Sequence, residues 1–206
     1  MVQELRQRGI TDQRVLDAME ALPRHQFCTD TLLDNLLYEV DRAIKIDCDQ
    51  TISAPITVAR QTELLQLERG MKVLEVGTGS GYQTAILCRM GARVFTIERQ
   101  HDLFVRTKKT LALMGFTAKC FLGDGFAGIT EVDYSPYDRV IVTCGAPFIP
   151  AGVMRQLRVG GIMVIPVGEE SQKLYRIVKQ GDAPGQWQQE CIGDANFVPM
   201  LEGRQF

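Results

Sequence analysis

Three glycines alternate with small polar residues in Gly77-Thr78-Gly79-Ser80-Gly81. An apolar run, Val73-Leu74-Glu75-Val76, leads into them, and an amphipathic run over residues 82–90 follows. That order reads as strand, tight loop, helix. Glycine lets the main chain turn sharply and leaves no side chain between it and a ligand. Glu98 ends the next apolar run, Val94-Phe95-Thr96-Ile97, about 20 residues past the first glycine, where a carboxylate can accept hydrogen bonds from ribose hydroxyls. Asp124, between Gly123 and Gly125, ends a third run and can accept from the exocyclic amine of adenine. Taken singly, Glu98 reads better as a solvated strand end and Asp124 as a turn residue. Their order on three consecutive strand ends favours a binding site, because ligands of open parallel sheets lie across those ends. Dinucleotide sites use G-x-G-x-x-G. Here the spacing is Gly77-x-Gly79-x-Gly81, and Tyr82 stands where the longer pattern has its last glycine. No Lys or Arg cluster lies near the loop to neutralise phosphates. One nucleoside without a pyrophosphate points to S-adenosylmethionine rather than NAD.

The elements that must position these groups follow from the hydrophobic rhythm. Strands are expected at 72–76, 93–98, 118–122, 139–143 and 162–167, with helices at 82–90, 102–114 and 151–157 between them. Gly160-Gly161 is expected to turn the chain into the strand at 162. Alternating strands and helices predict an α/β fold: a Rossmann-like, doubly wound, mostly parallel sheet. Runs at 174–178 and 186–192, separated by the turn-rich Gly181-Asp182-Ala183-Pro184-Gly185, predict antiparallel strands at the C-terminal edge. Upstream, Thr11 is expected to cap a helix bearing Val15, Leu16, Met19 and Leu22 that Pro23 ends. A second helical stretch spans 32–37, a third spans 58–67, and residues 38–55 read as an irregular lid or substrate loop.

A chain of 206 residues reads as a single domain. Residues 1–57 form its N-terminal helical and substrate-loop extension, and 58–206 its cofactor-binding core and C-terminal strands. The 23 basic and 25 acidic residues leave a net charge of −2 and no long basic run, which argues against a nucleic-acid partner. No apolar stretch reaches the length of a membrane span, and the first residues form no signal peptide. Cys28, Cys48, Cys88, Cys120, Cys144 and Cys191 form no C-x-x-C pair and read as buried free thiols of a reducing, cytoplasmic compartment. Having two histidines only, His25 and His101, argues against a metal site.

Further motifs make the sequence recognisable. Gln50-Thr51-Ile52-Ser53-Ala54-Pro55 stands upstream of the glycine loop. Ile141-Val142-Thr143-Cys144-Gly145-Ala146-Pro147, Gly160-Gly161-Ile162-Met163-Val164-Ile165-Pro166-Val167-Gly168 and Phe197-Val198-Pro199-Met200 follow it. Over about residues 23–200 the chain resembles the protein-L-isoaspartate (D-aspartate) O-methyltransferases. The cofactor motifs are shared by many methyltransferases; the Thr-Ile-Ser-Ala-Pro and Phe-Val-Pro segments are far more specific. The resemblance implies methylation, by S-adenosylmethionine, of the free α-carboxylate of L-isoaspartyl and D-aspartyl residues in damaged proteins and peptides. S-adenosylhomocysteine is the other product, and the ester closes to a succinimide that initiates repair. It implies Ser53 as the active-site serine, and Gln50, Thr51, Ile52 and Ser53 along the methionine end of the cofactor. Gly77, Thr78, Gly79 and Ser80 match the glycine loop, Glu98 the ribose acid, and Asp124 with Gly125 the adenine site. Ile52, Ser53 and Val198 would face the peptide. A monomer is expected. Two departures bear on peptide preference: Phe148 stands where an acidic residue is usual, and Ile56 where an aromatic one is frequent.

The residue types suit that chemistry. A carboxylate is ionised at neutral pH, so methyl transfer to it needs no general base, and no catalytic histidine is evident. In-line positioning and a dry site are what help. The Ser53 hydroxyl can hold one carboxylate oxygen and aim the other, and no Gly-x-Ser-x-Gly elbow marks it as a nucleophile. Its neighbours alone leave open a loop serine bonded to local backbone. The residues also leave open a methyltransferase of small molecules and a cofactor-binding paralogue without catalysis.

Overall fold

The computed structural model describes residues 1–28, 41–131 and 133–206. Seven strands make the main sheet: β3 (Lys72–Val76), β4 (Arg93–Glu98), β5 (Lys119–Leu122), β6 (Tyr137–Val142), β7 (Leu157–Val167), β8 (Gln172–Lys179) and β9 (Trp187–Ala195). Their spatial order is β5-β4-β3-β6-β7-β8-β9. β5 to β7 pair in parallel, while β8 and β9 join antiparallel at the edge. The expected doubly wound sheet with antiparallel closing strands is therefore present. Val73, Leu74, Val140, Ile141 and Val142 are fully buried, as continuous apolar runs in a sheet covered on both faces require. The strand order reverses at β3, whose Val76 pairs with Ile97 on one side and Val142 on the other. That switch point is where open α/β sheets leave a crevice, and the glycine loop opens from it.

Helices α1 (Val2–Gln7), α2 (Gln13–Glu20), α3 (Pro55–Leu64), α4 (Tyr82–Arg89), α5 (His101–Leu113) and α6 (Ala151–Gln156) cover the sheet, with a 3₁₀ turn at Arg24–Phe27. Four expectations need correction. Asp12, not Thr11, caps α2, its side chain accepting from Arg14 N at 2.9 Å. Thr11 instead donates from its N and Oγ1 to Glu63 Oε1 and ties this end of the chain to α3. The third helix starts at Pro55 rather than 58, because proline at the first position is preorganised for a helix. It stops at Leu64, since Gln66 takes φ +49°. Part of the supposedly irregular segment is a hairpin, β1 (Ile44–Lys45) with β2 (Thr51–Ile52), turned through Cys48 and Asp49 at positive φ. Gly160-Gly161 does not precede a strand but sits inside β7, where pairing with β6 jumps from Tyr137↔Leu157 to Arg139↔Ile162. The helix expected over 32–37, and residues 38–40 of the expected loop, lie outside the described residues.

Leu5, Val15, Leu16, Met19, Phe27, Ile46 and Ile52 share one apolar core with Val58, Tyr82, Ile86, Leu103 and Leu111. The N-terminal segment is thereby packed onto α3, α4 and α5, and Ile52 is anchored one residue from Ser53. Among the described residues, no helix is long and apolar enough to cross a membrane.

Candidate active site

A cleft enclosing about 890 Å³ of free space, its open mouth included, lies over the carboxyl end of β3, a size suited to a small-molecule ligand. Its wall is built from residues 50–53, the glycine loop 77–80, Glu98, Arg99, Gln100, Gly125, Thr143, Cys144 and residues 198–201. Gly79, at φ +52°, turns toward open space: a Cβ there meets nothing within 4 Å. Gly77, at φ +98°, is closed in, and a Cβ would reach Thr143 Oγ1 at 2.5 Å. The loop is thus braced from behind by Thr143, which donates to the carbonyls of Val76 and Gly77, and bare in front.

Glu98 is 6 % exposed and fixed by main-chain donors. Gly79 N donates to Oε2, and Arg99 N and Gln100 N donate to Oε1, each at 2.9 Å. A carboxylate offers about four acceptor sites, so capacity remains for a ligand hydroxyl. Asp124 is placed differently from its neighbour Gly125, which lines the cleft. Its Oδ1 accepts from Phe126 N and its Oδ2 from Gly203 N, both at 2.9 Å, and Asp124 is not itself in the wall. Arg99 is the cation of the wall, but its guanidinium donates to Glu202 O, Gly203 O and Gln205 Oε1. The donor set therefore suits a nucleoside with a ribose diol and offers no ready partner for phosphates.

Ser53 stands in a half-buried turn between β2 and α3. Arg24 holds the main chain there. It is completely buried, and its Nη2 donates to the carbonyls of Arg42, Ile52 and Ser53 at 2.8, 3.2 and 2.9 Å. Burial pulls this guanidinium below its ordinary pKa, with Cys28 and Tyr82 opposing. A second groove opens beside the first, walled by Ser53, Ile56, Arg60, Leu174 and residues 192–198. Thr51, Ser53, Thr143 and Val198 line both. Ile56, one departure from the family pattern, faces this groove. Phe148, the other, lines neither cavity; it is 58 % exposed and packs on Phe126 with ring centroids 5.6 Å apart.

One buried acid and the cysteines complete the surroundings. Glu75, within β3, is fully buried, and burial pushes its carboxyl up to about 8, Thr84 and Thr96 hydroxyls opposing. Thr84 Oγ1 donates to its Oε2 at 2.5 Å, while Oε1 has no partner among the described residues. Cys144 lines the cleft, yet burial and then Glu98 push its thiol up to about 12, which leaves it unreactive. The six cysteines are free, but five are only half-buried and Cys191 is exposed.

The structure thus brings Gln50, Thr51, Ile52, Ser53, Gly77, Thr78, Gly79, Ser80, Glu98, Gly125 and Val198 to one cleft and sets Asp124 at its rim. Sequence reading missed Arg24, Gln61, Gln83, Gln100 and Thr143. Gln61 and Gln83 are buried in the wall, Gln61 donating to Val142 O and Gln83 to Thr62 Oγ1. A glutamine inside an amphipathic helix gives no signal of its own; Arg24, flanked by Leu22 and Phe27, gave one only as a charge between two core residues.

The family model of protein-L-isoaspartate (D-aspartate) O-methyltransferase matches residues 1–205. The protein-L-isoaspartate O-methyltransferase of Christiangramia forsetii is 46% identical over 205 residues, 99% of this chain and 93% of that protein. A solved protein-L-isoaspartate O-methyltransferase superposes with a TM-score of 0.85 at 25% identity, over 96% of this chain and 64% of the other. A Plasmodium falciparum protein assigned to the same activity, crystallised in complex with S-adenosyl-L-homocysteine, superposes with a TM-score of 0.81 at 23% identity, over 97% and 96% of the two chains, and shares the fold.

Proposed function

The chain belongs to the protein-L-isoaspartate (D-aspartate) O-methyltransferase family, and from that premise we propose that it methylates the α-carboxylate of L-isoaspartyl residues in proteins and peptides. The observation that carries this reading is the meeting of two cavities at Thr51, Ser53, Thr143 and Val198. One cavity suits a nucleoside cofactor, the other an extended peptide. S-adenosylmethionine, when bound, supplies an activated methyl group. Gln50, Thr51 and Ile52 would hold its methionine end, residues 77–80 its middle, Glu98 its ribose, and Gly125, on the turn that Asp124 braces, its base.

The protein's part is binding and aim. The substrate carboxylate is already ionised at neutral pH, so no residue need remove a proton from it. The Ser53 hydroxyl donates to one carboxylate oxygen and leaves the other directed at the cofactor cleft. Arg24 fixes the carbonyls on either side of Ser53, so the hydroxyl starts from a set backbone. Ile52 and Val198 add apolar surface beside the junction, which favours charges that approach each other over charges held apart in water. The methyl ester then leaves for spontaneous succinimide closure, the first step of repair. The test is a methyl-transfer assay on two peptides identical but for isoaspartate in place of aspartate. Base-labile ester on the isoaspartyl peptide alone is expected; equal labelling of both, or of neither, overturns the reading.

A further inference from the structure

Residues 199–205 run across the cofactor cleft. Pro199 pairs with Gly145, just past β6: Gly145 N donates to Val198 O and Met200 N to Gly145 O, each at 2.8 Å. Gly203 N donates to Asp124 Oδ2, just past β5. Gln205 pairs with Gln100, just past β4: Gln205 N donates to Arg99 O and His101 N to Gln205 O, both at 2.9 Å. In the sheet, β3 lies between β6 and β4. A segment fixed at β6 on one side and at β4 and β5 on the other must pass over the end of β3, where the glycine loop stands. The lengths agree. From β6 to β5 are three strand spacings, about 14 Å at about 4.8 Å each. Four residues from Pro199 to Gly203 reach about 13–14 Å when extended. Met200 and Leu201, in mid-span, line the cleft.

The two ends are held unequally. Met200 is 7 % exposed and its anchor at Gly145 is buried backbone pairing, whereas Leu201 is 49 % exposed and residues 202–206 are all exposed. The far end is held by the Gln205 main-chain pairing, by Asp124, and by Arg99, whose Nε, Nη1 and Nη2 donate to Gly203 O, Gln205 Oε1 and Glu202 O at 3.4, 3.1 and 3.4 Å, all on exposed residues of the segment. Exposed bonds of this kind open at little cost compared with buried pairing. The joint between the two regimes falls at Leu201.

We propose that residues 199–205 are a strap over the nucleoside end of the cleft, hinged near Leu201 and latched by Arg99 and Asp124, whose opening governs cofactor exchange. The proposal rests on the cofactor reading above. It gives Arg99 a positioning role that acts through the strap, and it gives the Asp124 carboxylate the work of holding the strap down. A closed strap keeps water from the sulfonium, and an open one releases S-adenosylhomocysteine.

Stopped-flow dissociation of S-adenosylhomocysteine tests it, with the intact chain, Arg99→Ala, and a chain ended after Leu201. Loss of the guanidinium contacts is expected to raise the dissociation rate about tenfold, and loss of the segment by at least as much. Hydrogen exchange at Gly203, Gln205 and His101 should be faster than at Gly145 and Met200 in the free protein, and should slow when S-adenosylhomocysteine binds. A shortened chain that keeps its circular dichroism and releases the ligand within about twofold of the intact rate overturns the strap, and it decides the matter if Arg99→Ala fails to fold. An intact chain that does not bind S-adenosylhomocysteine overturns the cofactor reading and the strap together.

Discussion

Glu75 should make the protein less stable as pH rises, and Glu75→Gln should remove that dependence. The carboxyl sits in the middle of a buried strand with one oxygen bonded to Thr84 and the other without a hydrogen-bond partner among the described residues. Burial, opposed by the Thr84 and Thr96 hydroxyls, raises it from 4.5 to about 8. Between those values the native chain keeps a proton that the unfolded chain has released. Glu75's contribution is therefore fully present below about pH 4.5 and is lost as pH rises through about 8. At about 1.4 kcal/mol for each tenfold step, the whole interval is worth roughly 5 kcal/mol, and the part between pH 5 and pH 7 roughly 2–3 kcal/mol. Glutamine keeps the shape and cannot ionise. The difference in Tm, variant minus parent, is therefore expected to grow by roughly 5–10 °C from pH 5 to pH 7, at about 2–4 °C per kcal/mol for a chain of this size. Calorimetry of both proteins in matched buffers at half-unit steps measures it. A difference that stays constant across that range would show that Glu75 is already ionised in the native state, and the burial argument would fail.

Three substitutions probe the site itself. Ser53→Ala should lower kcat/KM on an isoaspartyl peptide about 10- to 100-fold, since a donor to the charged carboxylate is lost, while S-adenosylhomocysteine affinity measured by calorimetry changes far less; equal rates for parent and variant rule out the serine's role. Arg24→Met frees the Ile52 and Ser53 carbonyls, and should cut kcat about tenfold with little change in the KM for S-adenosylmethionine; its stability should stay within about 1–2 kcal/mol of the parent, because a buried cation whose Nε and Nη1 have no partner among the described residues is removed along with its bonds. An unaltered kcat would make Arg24 a purely structural residue. Gly79→Ala places a side chain at φ +52° facing the cleft, which costs about 1–2 kcal/mol in backbone strain alone, and cofactor affinity by calorimetry should fall about tenfold or more; unchanged affinity would mean that the ligand does not cross the face of the loop.

Periodicity read the centre of the sheet well because its strands there are buried on both faces, so pattern and environment coincide. β3 and β4 were legible to the residue for that reason. The hairpin of β1 and β2 was not. Two-residue strands have no period, and the turn between them uses Cys48 and Asp49 at positive φ rather than glycine. Asp12 and Thr11 are both good caps by type, and only the position of Glu63, far along the chain, decides between them. The jump inside β7 was hidden because Gly160-Gly161 is an ordinary turn signal, and only pairing with Tyr137 and Arg139 shows the strand continuing through it.

The cleft divides along the same line. The glycine loop and Glu98 are local: each lies at the end of its own strand, and parallel pairing brings Gly79 N within 2.9 Å of Glu98 without help from elsewhere. The junction of the two cavities is not local. Thr51, Ser53, Thr143 and Val198 come from β2, the turn after it, the end of β6 and the closing segment, and only the crossing of that segment past Gly145 sets Val198 opposite Ser53. Asp124 shows the consequence for reading roles from spacing. Its place after β5 suits a base-reading carboxylate, and a sequence offers no reason to choose otherwise. Yet both its oxygens are met by main-chain donors, one of them from 79 residues away. The fold thus takes two of its roughly four acceptor sites, against three for Glu98, so Asp124 braces the base-side loop against the closing segment and still keeps capacity to accept from a base.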